Sequence, residues 1–234
     1  MPTLLLVRHG RTGANAAGVL AGRTPGVALD DRGRAQAAEL GDRMAGLPLA
    51  AVVTSPLQRC LETARALLAT RDGELQQVDD RLTECEYGAW TGRTLKELAR
   101  EPLWKVVQGQ PSAVRFPGGE SLRGVQARAV EAVRDHDARV AAAAGPDAVW
   151  VAVSHGDVIK SVVADALGVH LDQFQRVVVD PCSVSVIRYT DQRPFVVRLN
   201  DTGGDLAGLR PPARRRRRRP ATGDAPVGGG AGTA

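Results

Sequence analysis

No stretch of this 234-residue chain approaches the roughly 20 consecutive apolar residues that a membrane-crossing helix needs. Its first residues also lack the basic segment, apolar core and cleavage site of a secretory leader, so a cytoplasmic location is expected. Cysteine is scarce. Cys60, Cys85 and Cys182 are odd in number and form no close pair, which argues against a disulfide framework and against a thiolate zinc site. They are expected to be reduced and structural. A charge excess is lacking too, once the C-terminus is set aside. Of the formal net charge of +5, most lies beyond Asn200, where seven arginines (Arg210 and Arg214 to Arg219) face three acids (Asp201, Asp205 and Asp224). The first 199 residues hold 24 basic and 23 acidic side chains, a nearly neutral body that does not point to nucleic acid. The arginine run has no interleaved aromatics and so no stacking platform; neither a specific nucleic acid nor a membrane is expected as a partner.

What remains is an ordinary soluble composition, 43% hydrophobic and 24% charged, long enough to bury a substantial core in one domain. Three continuous apolar runs stand out. Leu4 to Val7 leads into Arg8-His9-Gly10, Leu49 to Thr54 into Ser55-Pro56-Leu57-Gln58-Arg59, and Val149 to Val153 into Ser154-His155-Gly156-Asp157. Runs without alternation suit strands covered on both faces, as in a parallel sheet. Helices are expected between them: one from Asp30 or Asp31 to about Ala45, one opened by a capping box of Ser55 and Gln58 with Pro56 in its first turn, a short one over 95 to 100, a long one from Ser121 to about Ala144, and one over Val158 to Leu167. Residues 10 to 30 and 109 to 119 are expected as loops. Further short strands are expected at Gln76 to Val78, Val177 to Val179, Val184 to Tyr189 and Phe195 to Leu199. The alternation of strands and helices gives an α/β fold, a three-layer αβα sandwich around a mostly parallel sheet. The domain is expected to span residues 1–201, followed by a disordered Arg/Pro/Gly-rich tail over 202–234.

If the three strands are parallel neighbours, Arg8, His9, Arg59 and His155 converge at one sheet edge, where open α/β sheets bind ligands. Arg59 would sit in the first turn of its helix, a poor place for a cation unless an anion is bound there. Guanidinium forks match tetrahedral oxyanions, and two arginines repel a divalent metal, so phosphate is the expected guest. A metal held by His9 and His155 with Glu84 or Asp157 is the weaker reading. His136 and His170 are expected to be exposed and inert. Trp90, Trp104 and Trp150 are expected in packing, with Trp90 and Phe116 as candidate lining of the substrate mouth.

Five motifs in order carry a resemblance: Arg8-His9-Gly10 with Thr12 and Asn15; Ser55 to Ala64; Glu84 before Tyr87-Gly88-Ala89-Trp90-Thr91-Gly92; Gly118-Gly119-Glu120-Ser121; and Ser154-His155-Gly156. Over roughly residues 3 to 199 the chain resembles the histidine phosphatase superfamily, the phosphoglycerate mutase-like proteins. The resemblance implies His9 as nucleophile, Arg8, Arg59 and a protonated His155 as holders of the phosphoryl oxygens, Asn15 and Gly156 as further substrate contacts, and Glu84 as proton donor and acceptor with Glu86 as the rival carboxylate. It implies no cofactor, a small phosphorylated substrate, and a homodimer as one assembly to be considered. The short connection from Glu84 to Ser121 looks like the broad-specificity phosphatase branch. Phosphomutase is the runner-up, and a non-catalytic phosphoester-binding module using the arginine tail is a distant third. Asp157, where many relatives have an uncharged residue, has no assigned role.

Overall fold

A computed structural model describes residues 2–69, 71, 76–204 and 228. Six strands form one sheet in the order β3-β2-β4-β1-β5-β6: β1 (Thr3–Arg8), β2 (Leu49–Thr54), β3 (Gln76–Val78), β4 (Val149–Ser154), β5 (Val184–Arg188) and β6 (Phe195–Asp201). β3, β2, β4 and β1 run parallel, whereas β5 and β6 are antiparallel to their neighbours. The apolar run of β1 is continuous because alternate residues serve two cores. Leu4 and Leu6 pack on one face with α6 (Leu122–Ala144) and α7 (Gly156–Ala166). Leu5 and Val7 pack on the other with α2 (Asp31–Met44) and α3 (Gln58–Leu68). Layers of helix, sheet and helix result, the sandwich expected from the alternation.

Several local expectations are corrected. The 10–30 stretch contains a short helix, α1 (Gly13–Ala17), because Thr12 and Asn15 cap it reciprocally. Past α4 (Leu95–Leu98), an unexpected α5 (Pro102–Gly109) follows, started by a proline in its first turn. Val177 to Val179 is no strand; the places beside β1 are taken by β4 and β5, and the carbonyl of Val179 accepts from Arg8 instead. The capping box at Ser55 does not form, for α3 begins after Leu57 without a side-chain cap. His136 is 6% exposed rather than free, its Nε2 lying 2.9 Å from Asp79. Trp90 stacks on Trp104 and meets Phe116 edge-on within the core, so neither Trp90 nor Phe116 is an open lining residue.

The arginine run 214 to 219 and most of the expected tail lie outside the described residues. Gly228 does not: it sits against Arg8 and Asp157.

Candidate active site

Parallel neighbours β1, β4 and β2 end level with one another. Arg8 pairs in register with Ser154, and Thr54 with Val153. The ladder continues one residue further, with His9 N–H donating to the Ser154 carbonyl and Ser55 N–H to the Val153 carbonyl, both at 3.0 Å. Three loops therefore leave the sheet from adjoining points, and their side chains meet. The His9 and His155 ring centroids are 5.2 Å apart. Arg59, from the first turn of α3, lies between them, with Nε 3.2 Å from His9 Nε2 and Nη2 3.1 Å from His155 Nδ1.

These contacts assign the tautomers. The His9 Nδ1–H donates to the Gly10 carbonyl at 2.7 Å, leaving Nε2 with its lone pair toward Arg59. His155 accepts from Arg59 at Nδ1 and so carries its proton on Nε2, which donates to Ser55 Oγ at 2.8 Å. Ser55 thus orients a histidine and also accepts from the Leu57 N–H at 3.4 Å, ahead of the start of α3. Burial, reinforced by the Arg59 charge, holds both imidazoles well below the usual histidine range. Acceptance from Arg59 at Nδ1 fits a neutral His155 ring rather than the protonated one expected, with Arg8 and Arg59 as the fixed cations.

Arg8 is fully buried, Nη1 donating to the Val179 carbonyl at 2.8 Å. Arg59 keeps one buried nitrogen, Nη1, without a partner. Buried donors of this kind are rare unless a ligand completes them. Gly156 is buried at the first turn of α7, where the helix dipole adds positive potential. Asn15 is placed differently: its Oδ1 accepts from Thr12 N–H and hydroxyl, so it is engaged in capping α1.

Glu84 is 4% exposed, Oε1 accepting from Cys85 N–H at 2.9 Å and Oε2 lying 3.9 Å from His155 Nδ1. Burial first, then the charge of Asp157, pushes its carboxyl up to about 7. Glu86, by contrast, is half-exposed and faces Arg23 at 3.8 Å. The loop carrying Glu84 is held by Glu120, a residue the sequence offered only as part of a Gly-Gly-Glu-Ser motif. Glu120 accepts from Arg23, Arg128 and the Glu86 amide, each at 2.9 Å, while Arg23 and Arg128 also donate to the Glu84 carbonyl at 2.8 and 3.2 Å. The two loops approach so closely that a Cβ on Gly119 would stand 2.1 Å from the Glu86 carbonyl oxygen.

The weaker metal reading fares badly here. A guanidinium occupies the space between His9 Nε2 and His155 Nδ1, and among the described residues no group of three or more His, Cys, Asp or Glu side chains is arranged to hold a metal ion.

The model of the histidine phosphatase superfamily (branch 1) matches residues 4–202. The chain belongs to that superfamily. Within this family of histidine phosphatases it is similar to phosphoserine phosphatase 1 of Hydrogenobacter thermophilus, with 30% identity over 86% of this chain and 93% of the relative. It is also similar to the "Probable phosphoglycerate mutase GpmB" of Cronobacter sakazakii, with 31% identity over 91% of this chain and 97% of the relative. Among solved structures, YhfR of Bacillus stearothermophilus superposes with a TM-score of 0.78 at 31% identity, over 86% of this chain and 98% of YhfR. The relatives thus bear names of both phosphatases and a mutase.

Proposed function

We propose that this histidine phosphatase hydrolyses small phosphomonoesters through a phosphohistidine on His9. The observation that carries the reading is the His9 tautomer, with Nδ1–H committed to the Gly10 carbonyl and a neutral Nε2 directed into the arginine fork. A neutral imidazole is a competent nucleophile toward phosphorus. The phosphoryl oxygens take up Arg8, the unpartnered Nη1 of Arg59, and the α7 amide end at Gly156, so that charge on the equatorial oxygens meets fixed donors in a dry site. An arriving phosphate also draws Arg59 Nε away from His9 Nε2 and frees the lone pair.

In the first step the N–P bond forms as the ester P–O bond breaks, and Glu84 gives its proton to the leaving oxygen. In the second, water attacks phosphorus, its proton passes to Glu84, and the P–N bond breaks to release phosphate. Both halves need a carboxyl that is protonated before the first and ionised before the second. A group near 7 meets that need at neutral pH, which favours Glu84 over Glu86.

Rapid quench with 32P-labelled substrate, followed by peptide mapping, tests the scheme. Label is expected on the peptide containing His9, in chelator-treated enzyme as in untreated. Label elsewhere, or turnover abolished by the chelator, refutes it.

A further inference from the structure

Asp157 remains outside this scheme, although it stands beside it. It lies in the first turn of α7, two residues after His155, and is fully buried. Oδ2 accepts from the Tyr87 hydroxyl at 2.8 Å and from the Gly228 amide at 3.0 Å, while Oδ1 has no hydrogen-bond partner. A carboxylate in a pocket built for a phosphate dianion works against binding, unless it meets a donor on the same ligand.

Gly228 indicates what such a ligand looks like. Its N–H goes to Asp157, and its own carbonyl oxygen accepts from Arg8 Nη2 at 3.4 Å. One N–Cα–C–O unit therefore spans the gap between the buried carboxylate and the buried guanidinium, with a donor at one end and an acceptor at the other. The slot is narrow: a Cβ on Gly228 would come 2.9 Å from Leu20 Cδ1 and 3.5 Å from the Tyr87 hydroxyl.

We propose that Asp157 is a specificity-determining residue, receiving an ammonium or hydroxyl group that the substrate carries on the carbon next to its phosphorylated carbon. The inference rests on the hydrolase reading above and narrows its substrate class to small aliphatic phosphomonoesters with an adjacent donor. A substrate displaces the Gly228 amide. If it brings its own donor, Asp157 stays satisfied. If it brings none, Oδ2 keeps only the Tyr87 hydroxyl and Oδ1 stays without a partner, so the buried carboxylate is left short of donors, and the analogue is rejected as sites built for a hydrogen bond reject ligands that lack it.

The test compares three alkyl esters, all of which need their leaving oxygen protonated: O-phospho-L-serine (ammonium), sn-glycerol 3-phosphate (hydroxyl) and n-propyl phosphate (neither). The readout is the change in the ratio between wild type and variant, because intrinsic differences between the alcohols cancel in it and an effect of Asp157 through Glu84 reaches all three esters. For the wild type, kcat/KM for the two donor-bearing esters should exceed that for propyl phosphate by at least about 10-fold. In Asp157→Ala that ratio should collapse toward one for both. In Asp157→Asn, which keeps size and one acceptor oxygen, the ratio should survive in part for the glycerol ester and fall for the ammonium ester. The asparagine variant decides the matter if the alanine variant fails to fold. A wild-type ratio near one, or a ratio unmoved by both substitutions, overturns the assignment. If p-nitrophenyl phosphate is hydrolysed with label on His9 while the ratio is near one, the Asp157 assignment alone falls. If the wild type releases phosphate from none of the four esters, the hydrolase reading falls and takes this one with it.

Discussion

Glu84→Gln removes the proton on which the leaving group depends while keeping the shape of the side chain. An ordinary glutamic acid is almost wholly ionised at pH 7, whereas burial and the Asp157 charge push Glu84 up to about 7, into the range where it still carries a proton. The surroundings of Glu84 thus raise the supply of acid form at neutral pH, and glutamine forfeits it. For an alkyl phosphate the expected loss in kcat/KM is about 10²–10⁴-fold, equivalent to about 3–5 kcal/mol of transition-state stabilisation. For p-nitrophenyl phosphate, whose leaving oxygen needs no proton, the loss in the phosphorylation step should stay below about 10-fold. The sign in pH follows. Phosphorylation requires protonated Glu84, so wild-type kcat/KM for the alkyl ester should fall as pH rises through about 7, and the variant should lack that limb. Because the raised carboxyl binds its proton more tightly folded than unfolded, wild-type stability also declines as pH climbs from 4.5 toward 7, and Glu84→Gln should flatten that decline. Stopped-flow phosphate release over pH 5–9, with melting curves on the same samples, supplies both readouts. Equal losses for alkyl and aryl esters, or a loss from Glu86→Gln matching that from Glu84→Gln, would refute the assignment.

His9→Ala should abolish turnover and phosphoenzyme together, with substrate binding retained by calorimetry; a labelled intermediate persisting in that variant would remove His9 from the scheme. With 3-phosphoglycerate as sole substrate, phosphate release should dominate and 2-phosphoglycerate should be scarce, and efficient isomerisation by NMR would make the chain a mutase. Gly119→Ala drives a Cβ into the Glu86 carbonyl and should cost more than about 2 kcal/mol, lowering Tm by several degrees along with activity. Ending the chain at Gly204 removes Gly228 from Arg8 and Asp157, so KM should fall with kcat little changed, and a KM that rises on truncation would contradict competition between Gly228 and substrate.

The sheet and the edge where these side chains meet were legible because β1, β2 and β4 are continuous apolar runs that break abruptly at Arg8-His9, Ser55 and His155, a pattern that suits strands buried on both faces. Local capping was less legible. Ser55 and Gln58 have the form of a capping box, but the helix starts later, after Leu57, and the serine hydroxyl meets the buried imidazole of His155. Asn15 and Thr12 made a helix where composition suggested only loop. Val177 to Val179 had strand composition without a free place beside β1, and His136 had a charged neighbourhood in sequence while Asp79, 57 residues away, supplied its partner. The brace at Glu120 joins Arg23, Glu86 and Arg128 across about a hundred residues of chain, a spacing with no periodic signature.

The matched rungs of β1 and β4 make the backbone a caliper. His9 and His155 leave adjacent parallel strands at the same level, and the 5.2 Å between their rings is close to the roughly 4.8 Å that hydrogen bonding imposes between neighbouring strands. Sheet geometry therefore fixes where the two imidazoles leave the backbone, and their rotamers are set by Gly10, Arg59 and Ser55. Loops around this edge can vary in length and composition while the two strand ends that carry the imidazoles keep their spacing.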